Sequence, residues 1–269
     1  MKLEHIIRKL YFEPLCITTT GHAALRSVVE RKLASGYKIE DGDTDIFGEP
    51  IPGLEIYGNV AVIPVAGPIT QHASLMERTC GVTGVSSIRG MISQAKQTAG
   101  VDTMLFNFNS PGGTVTGVPE LANEIVELGK TYKTIGYTDS LAASAGFWLY
   151  SATNERYAAP TADLLSVGVY SYILDTSKIY EDAGAKIELF TSGDLKGIGI
   201  EGTKMSDAQK QHMQEEVDKI GVMFRSFVKE RIPGIEDKHM RGQCLMASEL
   251  KEVGVVDGYA NTLEEIFGI

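Results

Sequence analysis

The chain lacks any run approaching the roughly 20 apolar residues that a helix needs to cross a bilayer. Its opening residues, Met1 to Leu10, are broken by charges and lack both the apolar stretch and the small-residue cleavage site of a secretory leader. Cysteine is scarce. Cys16, Cys80 and Cys244 are odd in number and share no metal-ligand or redox spacing, which excludes a disulfide framework and fits scattered thiols in a reducing, cytoplasmic compartment. Basic residues are in deficit, 25 against 35 acidic, and the net charge of −10 argues against non-specific nucleic-acid binding. No Gly-x-x-x-x-Gly-Lys-Ser/Thr phosphate loop is present. Asp41, Asp43 and Asp45 cluster, but the glycine placement and downstream glutamate of a calcium loop are missing, so neither metal nor cofactor is assigned.

What is present suits a globular α/β protein: 269 residues, 43% hydrophobic and 22% charged, enough to bury a large core. Residues 1–36 read as an N-terminal helical extension, two short pieces around Glu13-Pro14-Leu15, the second with Ala24, Leu25, Val28, Val29 and Leu33 at helical spacing. Residues 37–58, rich in Gly, Asp and Pro, read as a linker, and 59–269 as the main domain. That domain opens on the strand Val60 to Ala66, followed by a loop from Gln71 to Gly84 near a cleft, with His72, Met76 and Cys80. Helices are expected at Ser86 to Ala99, Thr116 to Lys130 and Ser177 to Ala183, and a long one at Ser206 to Arg231 with Ser206 as N-cap. Strands are expected at 103–108, 132–137, 156–159, 167–173 and 187–190. This alternation predicts a parallel sheet with flanking helices.

Residues 105–148 carry the chemistry. Leu105 to Phe108 reads as a strand that stops in Asn109-Ser110-Pro111-Gly112-Gly113 before an amphipathic helix. A second unit follows: Thr134 to Tyr137 as a strand, Asp139-Ser140 as a turn, and Leu141 to Trp148 as the small-residue start of a buried helix. The two turns should lie side by side at one end of the sheet. Tandem glycines leave the N–H groups of Gly112 and Gly113 bare to a substrate carbonyl. A serine in the first helical turn, Ser144, has its hydroxyl near unpaired N–H groups, among them that of Ala145. Together these supply a nucleophile and an oxyanion hole.

In order and spacing, Asn109 to Gly113, Ala142-Ala143-Ser144-Ala145-Gly146, Ser166-Val167-Gly168-Val169 and Gly193-Asp194-Leu195-Lys196 resemble the signatures of the signal-peptide-peptidase A family. The likeness runs from about Asn59 to the C-terminus and includes a closing Ala247 to Gly258 segment. That family consists of Ser/Lys peptidases with a ClpP/crotonase-like spiral core and includes prohead proteases of tailed phages. The segment Phe12-Glu13-Pro14-Leu15-Cys16-Ile17 also resembles the opening of phage head proteases. The resemblance implies a serine endopeptidase with Ser144 as nucleophile, Lys196 as general base, Ser166 as auxiliary serine, and Gly112 or Gly113 with Ala145 as oxyanion donors. It also implies a homo-oligomer, since relatives build clefts across neighbouring subunits, and no cofactor.

A serine needs a base to take its proton. Histidine is disfavoured: the chain has His5, His22, His72, His212 and His239, and none falls at 167–169, where a ClpP-like triad would place it. A lysine can serve near neutral pH only where burial in an apolar cleft disfavours its charged form, because a free lysine has a pKa of about 10.4. Lys196 follows Ser144 by 52 residues and Ser166 follows it by 22. Carboxylates such as Asp139 and Asp194 have no comparable support. The expected role is processing of scaffold or capsid polypeptides in phage head maturation. The alternatives are a cytoplasmic bacterial peptidase, a crotonase-like acyl-CoA enzyme, and an inactive capsid-assembly scaffold.

Overall fold

Three apolar stretches make the centre of the sheet: β3 (Val60–Ala66), β6 (Thr103–Ser110) and β8 (Lys133–Ala143). They pair in parallel, β6 between the other two, and Ala61, Ile63, Val65, Met104, Phe106 and Phe108 are buried. Strands covered on both faces read as hydrophobic runs, as β3 and Met104 to Phe106 of β6 do. The structure is a computed structural model, and it describes residues 13–34 and 51–267.

In chain order, β1 (Leu15–Ile17) and α1 (Thr19–Ala34) precede β2 (Glu55–Tyr57) and β3. Then come β4 (Ile69–Thr70), α2 (Leu75–Thr79), β5 (Thr83–Gly84), α3 (Val85–Gln97), β6, β7 (Gly112–Thr114), α4 (Val118–Leu128) and β8. The second half holds α5 (Ala145–Ser151), β9 (Glu155–Ala158), β10 (Asp163–Leu165), α6 (Ser177–Asp182) and α7 (Asp207–Arg231). It closes with β11 (Cys244–Met246), α8 (Ala247–Leu250), β12 (Gly258–Tyr259) and α9 (Leu263–Phe267). The larger sheet runs β11-β10-β8-β6-β3-β2, with β9 pairing the first half of β8 and β12 pairing β9. The second sheet runs β1-β7-β4-β5 and stands over the end of β6, where the glycine turn lies. This is the mixed α/β, parallel-sheet, ClpP-like architecture that the sequence implies.

The helices bury the faces their spacing dictates. On α4, Val118, Leu121, Ala122, Ile125 and Leu128 point inward, and on α3, Val85, Ile88, Ile92 and Ala95 do. Ser206 caps α7 as expected, its hydroxyl accepting the Gln209 N–H while the Gln209 side chain accepts the N–H of Ser206. From α7, Phe224 stacks on Trp148 of α5, ring centroids 4.2 Å apart and planes 2° from parallel. Both rings are buried, so α5 is clamped between the sheet and α7. Phe224→Ala is expected to lower unfolding free energy by about 3–5 kcal/mol, read from the denaturant midpoint.

Several elements differ from the sequence reading. Leu15–Ile17, within the expected helical extension and overlapping its break at Glu13-Pro14-Leu15, is a strand; the first of the two helical pieces lies outside the described residues, as do Asp41, Asp43 and Asp45. Glu55–Tyr57, inside the expected linker, pairs antiparallel with β3 across a tight turn in which Gly58 takes φ +61°. The expected loop at 71–84 contains α2 and β5. Asp139-Ser140 is not a turn: β8 continues through it to Ala143, and the register shift against β6 between Asn107 and Asn109 absorbs the irregularity. Within 167–173 only Tyr170 is bridged, to Leu15. Ile187 to Phe190 is exposed and has no partner strand among the described residues; a β-pattern without an edge to pair with remains irregular.

Candidate functional site

Ser144 stands where β8 becomes α5, as the N-cap, with φ 55° and ψ −118°. Its N–H donates to the Leu165 carbonyl at 2.7 Å, and its own carbonyl accepts the Trp148 N–H at 2.9 Å. The only other non-glycine residues with positive φ among the described residues are Leu165 (82°) and Ser166 (52°). Such conformations cost on the order of 1–3 kcal/mol each and persist only where packing enforces them. Among the described residues, the backbone strain of this kind is gathered at one place. A strained serine between strand and helix directs its hydroxyl and its following N–H groups toward the same space.

The glycine turn meets the β8–α5 junction here. A Cβ placed on Gly112, which has φ +101°, would lie 2.8 Å from the Ser144 Cβ and 3.0 Å from the Ala145 nitrogen. The Gly112 N–H donates to Ser110 Oγ at 3.2 Å, and Ser110 Oγ donates to the Gly67 carbonyl at 2.7 Å. Of the two glycines, Gly112 has its N–H engaged in holding the turn, and Gly113 lies opposite Cys16 of β1 in the antiparallel pair. Gly112→Ala is expected to cost about 1–3 kcal/mol from backbone strain alone and to close the space beside Ser144. The check is a lowered melting transition together with lost labelling by a fluorophosphonate.

Ser166 is buried; its Oγ donates to the Gly242 carbonyl at 3.2 Å and its N–H to the Gln243 carbonyl at 2.8 Å. Ser144 and Ser166 open on one cleft of about 740 Å³, with Gly168, Tyr170, Thr18 to Thr20, and Gln214, Asp218 and Arg225 of α7 on its walls. Cys16, fully buried, brings its thiol to Ser144 and donates to the Gly168 carbonyl at 3.4 Å; burial pushes that thiol up to about 12. At neutral pH it is protonated and hydrophobe-like.

Within one chain the structure brings together Ser144, Ala145, Gly112, Gly113 and Ser166. It does not bring Lys196 to them. Lys196 is exposed, in a turn where its N–H bonds the Gly193 carbonyl, and it does not line the cleft. The adjacent Asp194 carbonyl accepts from Gln209 of α7, which ties this turn to the long helix. The sequence reading missed the entry of Leu15-Cys16-Ile17 into the site. The signal that points to it is the Glu13-Pro14-Leu15 opening.

Residues 127–262, which include Ser144, Ser166 and Lys196 but not the glycine turn, match peptidase family S49. The chain belongs to that family. Among S49 relatives, it is 26% identical over 288 residues to the head-tail preconnector protein GP5 of Enterobacteria phage P21, covering 98% of this chain and 56% of that protein. It is 27% identical over 170 residues to capsid assembly protease C of Escherichia phage lambda, covering 63% of this chain and 39% of that protein. Over 207 residues it is 24% identical to protease 4 of Salmonella typhi, 74% of this chain and 32% of that one. The chain thus spans between about a third and just over half of the length of these S49 proteins. No helix among its described residues is long and apolar enough to cross a membrane.

Proposed function

We propose that this chain is a serine endopeptidase that cuts scaffold or capsid polypeptides during phage head maturation. The observation that carries the peptidase reading is Ser144, held at positive φ between the Gly112-Gly113 turn and the Ala145 N–H. The phage role is supported by likeness to GP5 of phage P21, which extends over nearly the whole chain, N-terminal residues included. A cellular protease is the second reading, supported by the likeness to protease 4.

In the proposed mechanism, Lys196 takes the proton of Ser144 as its Oγ attacks the peptide carbonyl. The N–H groups of Gly113 and Ala145 hold the oxyanion, and the proton passes to the leaving amine. Water then hydrolyses the acyl-enzyme by the same route, and Ser166 orients the amine of Lys196. Because Lys196 is outside the cleft of its own chain, the amine is supplied by a neighbouring copy. The apolar surface between Leu174 and Ile200 supports such an assembly: Leu174 is 72% exposed, Ile179 66% and Phe190 88%. The direct test is a fluorophosphonate probe followed by peptide mapping, with a scaffold-like polypeptide as substrate. Labelling at Ser144 with cleavage supports the reading; CoA binding without either would move it to the acyl-CoA class.

A further inference from the structure

β1 runs antiparallel to β7, the strand that begins with the two glycines, in the register Cys16 opposite Gly113 and Ile17 opposite Gly112. Two residues to either side, the Thr18 N–H donates to the Pro111 carbonyl at 2.8 Å and the Val115 N–H to the Pro14 carbonyl at 3.3 Å. Bonded pairs alternate in an antiparallel ladder, which assigns Cys16 and Gly113 to a bonded pair. The Cys16 carbonyl therefore sits on the donor proposed for the oxyanion. It also lies 2.1 Å from where a Gly112 Cβ would be, a place open only because that side chain is missing.

The other edge of β1 is also held. Leu15 and Tyr170 exchange both backbone bonds, at 2.9 and 3.0 Å. A three-residue segment zipped on both edges, with its middle carbonyl at the glycine turn and its middle side chain against Ser144, has the geometry of an extended peptide presented for attack. Ser144 beneath it is only 1% exposed.

We propose that Leu15-Cys16-Ile17 is an intramolecular stand-in for substrate: it fills the peptide-binding edge, with Cys16 where the attacked residue belongs, and a polypeptide must displace it to be cut. This rests on the reading of Ser144 as nucleophile. In a single chain Lys196 is outside the cleft, so the strand occupies this place uncut. The position over Ser144 encloses Cys16 completely, so the substrates that replace it carry a small side chain there.

The test is a reversible lock. Leu15 and Thr114 are opposed without a mutual backbone bond, a spacing compatible with a disulfide. The variant Leu15→Cys/Thr114→Cys is made in the full chain with Cys16→Ala and Cys80→Ala to prevent mispairing. Oxidation is expected to slow fluorophosphonate labelling of Ser144 by at least about tenfold, and reduction to restore it, because the strand can no longer leave. Equal rates in the two states overturn the proposal.

A second readout needs no chemistry at Ser144. In the same lock carrying Ser144→Ala, a fluorescent peptide of residues 13–20 with Cys16→Ala is expected to bind the reduced protein and not the oxidised one. Equal binding to both overturns the proposal. Loss of all labelling, with peptide binding still gated by the disulfide, would remove the nucleophile and leave the occupancy of the edge standing.

Discussion

Ser144→Ala is expected to abolish fluorophosphonate labelling and to lower polypeptide cleavage by on the order of 10⁴- to 10⁶-fold, with the fold retained. In the proposed mechanism the loss is large because the hydroxyl would be the group that bonds to the substrate, leaving only what the glycine-turn and Ala145 donors would provide unaided. The substitution removes a single oxygen and keeps the Cβ that packs beside Gly112, so the strained backbone at this position has no new reason to relax. Near-ultraviolet circular dichroism and the unfolding midpoint check that half of the expectation. A variant that cut at the normal rate would end the assignment of Ser144.

The second large effect concerns Lys196. Lys196→Ala alone is expected to lower cleavage by about 10²- to 10⁴-fold, the usual range for a lost general base. Its placement makes a further result decisive. Co-expressed with Ser144→Ala chains in equal amount, Lys196→Ala chains should recover about one quarter of wild-type activity, because an intact serine meets a neighbour's intact lysine in about that share of sites of a symmetric oligomer. Neither variant can be rescued in this way if both groups act within one chain. Zero recovery in verified mixed oligomers would therefore overturn the proposal that a neighbouring copy completes the site.

Much of the site was legible in the sequence because local chemistry dictates it. Gly112 is required by a positive φ and by the close approach of Ser144, and small residues on both sides of Ser144 let α5 enter the core at once. The helices α3, α4 and α7 followed from apolar spacing, and Ser206 with Gln209 announced the start of α7. What was not legible depends on partners distant in sequence. Leu15-Cys16-Ile17 is too short to reveal itself as a strand, and it becomes one only because Gly112 to Thr114 and Tyr170 offer edges about 100 and 150 residues away. Ile187 to Phe190 shows the converse, a strand-like pattern with no edge to join among the described residues. Asp139-Ser140 reads as a turn by residue type, yet pairing with β6 resumes at Leu141 after a register shift, and pairing with β10 begins there, so β8 continues past it as a bulge.

The stacked pair beneath Ser144 has an optical consequence. The chain has one tryptophan, Trp148, one helical turn from Ser144 and face to face with Phe224. Emission excited at the red edge of the indole band therefore arises from a single point in the molecule, under Ser144 and against the helix whose far end is tied to the turn that carries Lys196. Acylation, departure of the N-terminal strand and docking of a neighbouring subunit should each disturb that signal, so one unlabelled protein can report all three in stopped-flow.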